Sequence, residues 1–145
     1  MRIHVIFPHK LRKDPCTDLV HRYVKYASRF AEIRLEIVDY QKLVGKKRAE
    51  LMDRLRSHQS FALTEHGQAV ATPWFARTID HSRMSGKPLV WLIGDAFGVP
   101  EDLQQSCAGT LSLTPLTLPH EMALAVLVEQ LWRGLAIVHN HPYHK

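Results

Sequence analysis

Cysteine is scarce in this chain: Cys16 and Cys107 stand far apart, with no CxxC and no paired spacing. That excludes a disulfide framework and suits two small core thiols in a reducing compartment. Long apolar runs are missing, none approaching the ~20 residues that span a bilayer, so no membrane association is expected. The opening "MRIHVIF" is too short and too alternating for a signal peptide, and a cytoplasmic location is the expectation. No GxGxxG or GxxxxGK[ST] occurs, which removes the dinucleotide and P-loop readings. HExxH and a nucleophile elbow are absent too. Without a Pro/Ser-rich linker, low-complexity tract or internal repeat, residues 1–145 read as one domain.

What is present is ordinary globular material with a basic bias. Hydrophobic residues make up 46% and charged residues 23%, enough apolar content for a real core. Lys and Arg number 19 against 14 acidic residues, a net charge of +5 that favours a polyanionic partner. The cations gather in "HKLRK" (9–13) and "KLVGKKR" (42–48), which two solvated loops would explain equally.

Patterning predicts alternating strands and helices. Residues 2–7 form a mostly buried strand through Ile3, Val5 and Phe7. Asp14 caps a helix that Pro15 opens, with Leu19, Val20, Tyr23, Val24, Ala27 and Phe30 on one face. "AEIRLEIVDY" returns to strand periodicity, and "KKRAELMDRLRSHQ" is a weaker helix carried by Leu51, Met52 and Leu55. "SFALT" is a short strand and "EHGQ" a turn; Thr72 caps a helix begun by Pro73 and ended by Gly86. "PLVWLIG" is uninterruptedly apolar, as a central strand covered on both faces must be. A short helix "VPEDLQQSC" and a strand "TLSLT" follow. The helix over 120–138 is apolar almost all round and must be buried on most sides, in its own core or against a second subunit. The pattern implies an α/β domain with a parallel sheet.

Ligands of open α/β sheets bind beyond the C-terminal strand ends, which singles out "ALTEHG" (62–67), "LIGDAFG" (92–98) and "LSLTPLTLPH" (111–120). Gly94 and Gly98 allow close backbone approach or positive φ, although an ordinary turn also uses such glycines. The apolar loop "LTPLTLPH" is expected to be buried, with its peptide groups paired inside the fold or with a ligand such as an adenine ring.

"IGDAFG", "LSLTPLTLPH" and "LVEQLWRGLAIVHNHPYHK" resemble the ribosomal RNA large-subunit methyltransferase H family of SPOUT methyltransferases. The likeness is strongest over 88–145 and co-linear before that, through "MRIHVI", "RYVKYASRF", "LMDRL" and "FALTEHG". It implies a C-terminal trefoil knot in the α/β domain, a homodimer, and S-adenosylmethionine bound in the knot loops. It implies methyl transfer to N3 of a pseudouridine, on free large-subunit rRNA or on the ribosome. By position, cofactor contacts fall on Leu63, Gly94, Asp95 and the run Leu113, Thr114, Pro115, Leu116, Thr117 and Leu118. Four positions depart from the family pattern: Asp95 replaces a glycine, Leu124 an arginine, His9-Lys10 a Gly-Lys, and Thr64 an aspartate. These leave open a divergent paralogue acting on another RNA, or a non-catalytic RNA- or ribosome-binding dimer.

The tail "HNHPYHK" (139–145) then reads as catalytic. It is expected to fold over the cofactor pocket, with Pro142 restricting the backbone before Tyr143. His141 or His144 would take the N3 proton and Tyr143 would stack on the base. Arg133 would hold a phosphate or base carbonyl. A zinc site there is disfavoured, since neither cysteine nor carboxylate joins the histidines. His120 is expected to cap or pack, and Glu129 to pair with Arg133 or with the other subunit.

Overall fold

The computed structural model describes residues 1–145. The elements run β1 (Arg2–Phe7), α1 (Pro15–Ala27), β2 (Glu32–Ile37), α2 (Gly45–Ser57), β3 (Gln59–Ala69), α3 (Thr72–Ser85), β4 (Leu89–Leu92), α4 (Glu101–Ser106), β5 (Gly109–Ser112) and α5 (His120–Val138). All strand pairs are parallel, in the order β2-β1-β4-β3-β5. The apolar run of β4 lies at the centre of the sheet with all four residues buried, as its composition demands. No helix is long and apolar enough to cross a membrane.

Two cores sandwich the sheet. On one face Ile3, Val5, Phe7 and Trp91 pack under α1, α3 and α5. On the other, Ile6, Val90 and Leu92 pack against Leu51 and Leu55 of α2 and Leu103 of α4. β4 therefore leads to a helix on one face while its neighbours β1 and β3 lead to helices on the other. The chain diverges at the end of β4, and a crevice must open there.

Local signals set several boundaries. The Asp14 carboxylate accepts from the Cys16 N–H at 2.7 Å, the cap expected before Pro15. Gly86, at φ 71°, ends α3. Thr72, expected to cap α3, is instead its first residue after Ala71; its hydroxyl is spent on Gln130 of α5, 2.8 Å away. "EHGQ" is not a free turn but part of a long β3, whose register with β5 jumps from Leu63 to Gln68, both opposite Leu111. The residues in between bulge out of the ladder.

The apolar face of α5 is buried through Leu124, Leu127, Leu131 and Leu135 between α1 and α3. Its end is a Schellman motif: Asn140 takes φ 53°, its N–H donates to the Ile137 carbonyl at 3.2 Å, and the His141 N–H reaches back to Ala136 at 2.8 Å. Asparagine tolerates that left-handed conformation better than most residues, and Pro142 then blocks any return to helix.

Candidate active site

Where the chain diverges after β4, a cleft of about 610 Å³ opens, walled by the chain leaving β3, β4 and β5 and by the first turn of α5. The β4 wall is the turn Gly94–Gly98. A Cβ on Gly94 would lie 2.6 Å from the Gly98 carbonyl carbon, and Gly98 itself has φ 82°; both glycines are sterically required. Asp95 ties this turn together. Its carboxylate accepts the Phe97 N–H at 2.8 Å and the Gln41 side-chain amide at 3.2 Å, while its carbonyl accepts the Gly98 N–H at 2.9 Å. The acid that departs from the family glycine thus closes its own loop.

The β5 wall is "LTPLTLPH", and here the expectation of a buried loop fails. Pro115, Leu116 and Thr117 are exposed, Leu116 to 68%. The loop stays open because it forms one side of a crevice and nothing in the chain covers it. The peptide N–H groups of Leu113, Thr114, Thr117 and Leu118 find no partner within the chain, and only that of Leu116 does, at Thr114 Oγ1. Free peptide edges beside apolar side chains suit a ligand with an aromatic face and polar rim.

Of the residues assigned to cofactor contact, Leu63, Gly94, Asp95, Leu113, Thr114, Leu116, Thr117 and Leu118 all line this cleft; Pro115 belongs to the loop but not to the wall. The sequence singles out the segment 62–67 but gives a contact only to Leu63 of it. Thr64, Glu65 and His66, which the β3 bulge pushes into the cleft, line it too, where "EHGQ" looks like an ordinary turn. The sequence reading missed His120, taken for a capping or packing residue. His120 is the first residue of α5, lines the cleft, and meets the His9 ring edge-on at 5.6 Å. Leu124, where the family carries arginine, is fully buried in the core under α5.

The tail does not close over this cleft in its own chain. The cleft lies at the start of α5 and the tail at its end, about 27 Å along the axis for an 18-residue step. The Schellman turn folds the tail back only as far as Glu129 and Trp132. There the Tyr143 ring packs against Trp132 at 5.4 Å and under the Arg133 guanidinium at 4.7 Å, and its hydroxyl donates to Glu129 at 2.9 Å. Partial burial and that carboxylate hold the phenol above its ordinary range. Arg133 is held by Glu129, its Nε at 2.9 Å, and its Nη1 donates to His144 at 3.3 Å. The three tail histidines do not converge. His139 stacks on Phe30, His141 meets Trp132 edge-on, and His144 is exposed beside Arg133. The structure thus gathers the proposed catalytic residues in one cluster and the proposed cofactor residues in another.

Comparison with known proteins brings these features together. A family model described as "Predicted SPOUT methyltransferase" matches residues 1–144. A Wolinella succinogenes protein named ribosomal RNA large subunit methyltransferase H is 34% identical over an alignment of 159 residues that covers both chains completely. A Thermus thermophilus namesake is 33% identical over 145 residues, covering 100% of this chain and 99% of that one. A third protein of that name, from Pseudothermotoga lettingae, is 31% identical over 99% of each chain. The family model spans nearly the whole chain, and the relatives match it end to end; the chain belongs to the SPOUT methyltransferase family.

Proposed function

We propose that this protein is an S-adenosylmethionine-dependent rRNA methyltransferase that modifies N3 of a pseudouridine in large-subunit rRNA. It would work in the cytoplasm as a homodimer of trefoil-knotted subunits. The cleft carries the reading. It lies at the switch point of a parallel sheet, and its two loop walls differ in kind, one a tight glycine turn and the other a strip of free peptide N–H groups.

Those residues fit the cofactor. Leu113, Leu116 and Leu118 offer apolar surface to an adenine ring, and the peptide groups around Thr114 and Thr117 offer hydrogen bonds to its edge. Gly94 lets the β4 turn approach without a side chain in the way, and Leu63 closes the β3 side. When bound, S-adenosylmethionine supplies a methyl group already activated on a sulfonium sulfur. What remains for the protein is alignment, for which in-line positioning contributes ~7–11 kcal/mol, and removal of the imide proton, for which a base adds ~10²–10⁴-fold.

We assign proton removal to His141 or His144, and positioning of the nucleotide to Arg133 and Tyr143. Since the tail lies at the far end of α5 from its own cleft, the assignment requires that one subunit's tail serve its partner's cleft. The homodimer is therefore part of the proposal, and the exposed, unpaired side of His144 is the group free to act.

Calorimetric titration with S-adenosylmethionine should give saturable binding. Nucleoside mass mapping of rRNA from a strain lacking the gene should show one methylated pseudouridine lost. Absence of binding together with an unchanged rRNA profile would reject the reading.

A further inference from the structure

We propose that the rim of the cleft is the RNA-binding face, with two rows of unpaired cations gripping the strand and Phe97 stacking on an unpaired base. The inference rests on the rRNA methyltransferase reading and names the surface that would hold that substrate.

Two basic segments stood out in the sequence, and the topology brings both to one place. Residues 9–13 follow β1 and residues 42–48 follow β2, so in a parallel sheet both leave at the edge where the cleft opens. Each is tied to it. The His9 ring meets His120 of the cleft wall, and Pro8 beside it is buried. On the other side the Tyr40 hydroxyl donates to the Ile93 carbonyl at 2.8 Å and Gln41 to Asp95.

Of the cations there, Lys46 faces Glu50 at 3.9 Å and Arg48 holds Asp102, while the other five are uncompensated. Lys10, Arg12, Lys13, Lys42 and Lys47 are exposed and form no ion pair, whereas Arg48, Arg54, Arg83 and Arg133 each hold a carboxylate. The one acid bordering the first segment, Asp14, is engaged as the cap of α1. Unpaired cations on either side of a cleft are what a phosphate backbone requires, and what a neutral small substrate does not.

Phe97 supplies the second element. It is 87% exposed at the tip of the β4 turn, an unfavourable place for a large apolar ring, and its N–H is fixed by Asp95. An exposed aromatic ring on a hydrogen-bonded turn, at the mouth of a cleft whose neighbouring loops are basic, is a feature on which single-stranded bases stack.

The test uses the full-length protein with two fluorescein-labelled probes, an RNA stem-loop with an unpaired pyrimidine loop and a blunt RNA duplex of equal length, over a salt series. The triple variant Lys10→Gln, Arg12→Gln, Lys13→Gln should reduce the slope of log affinity against log salt by about 2, three contacts at ~0.7 each, with S-adenosylmethionine titration unchanged. Phe97→Ala should weaken the stem-loop about tenfold at every salt concentration and leave the duplex as it was. An unchanged slope in the triple variant, or equal loss on both probes for Phe97→Ala, overturns the proposal. Failure of the wild type to bind S-adenosylmethionine strikes the methyltransferase reading instead, and thermal unfolding of each variant identifies any that is simply misfolded.

Discussion

At Gly94 one missing carbon shapes the cleft. A methyl group there would meet the Gly98 backbone, which has no flexible end to move aside. Gly94→Ala should therefore push the β4 turn outward, lowering stability by ~1–3 kcal/mol and S-adenosylmethionine affinity at least tenfold, read by urea unfolding and calorimetry. Away from the cleft, Glu36 shows how a single carboxylate sets pH behaviour. Arg54 grips it with two bonds of 2.8 and 2.7 Å, and with His4 holds its carboxyl below the usual range against the opposing effect of burial. The folded group binds its proton less tightly than the unfolded one. Its stabilisation is therefore complete above the unfolded value of about 4.3 and disappears as pH falls through the lower folded value. Glu36→Gln should accordingly be less stable than wild type at neutral pH, the gap closing below about pH 4 in denaturant titrations. Cys107 is a passive counterpart: burial raises its thiol to about 11, which suits a packing residue better than a reactive one.

Among the elements, α5 carries the most consequence. It joins the cleft at its first residue to the tail at its last, and its depth in the core depends on Gly134. A Cβ on Gly134 would come within 2.7 Å of Ile79 Cδ1 and 3.2 Å of the Ala76 nitrogen of α3. Gly134→Val should separate α5 from α3 and lower stability by ~1–3 kcal/mol in urea unfolding. The isoleucine tip can rotate away but the α3 backbone has nowhere to go, so most of that loss should persist in a Gly134→Val, Ile79→Ala double variant. Strand β3 shows the limit of pattern reading at this scale. Its apolar opening is plain in "SFALT", but the bulge that carries Thr64, Glu65 and His66 into the cleft depends on pairing with Leu111, far along the chain. The end of α5 was legible at residue 138, and the helix-stop residues Asn140 and Pro142 just beyond it account for that boundary.

For the whole molecule, the proposed function joins the tail of one copy to the cleft of another, because α5 holds the two ends of its own chain apart. A cleft variant such as Leu116→Glu and a tail variant such as His144→Ala should each be inactive alone. In an equal mixture of dimers half are mixed, each with one intact site, so coexpression should restore roughly one quarter of wild-type turnover. No recovery in tritium transfer from labelled S-adenosylmethionine to rRNA would refute a site shared between subunits.

The sequence by itself determined the element order, the central place of β4, the cap of α1 and the glycines of the β4 turn. These depend on periodicity, on backbone sterics and on hydrogen bonds between near neighbours, all written locally. The family could be read there too, from short motifs at strand ends. Only the tertiary structure decided that the LTLPH loop stands open, that Asp95 locks its own turn, that His120 faces the cleft, and that the tail packs on Trp132. Each of those outcomes follows from which strand lies beside which, and from a long rigid helix that holds its two ends apart.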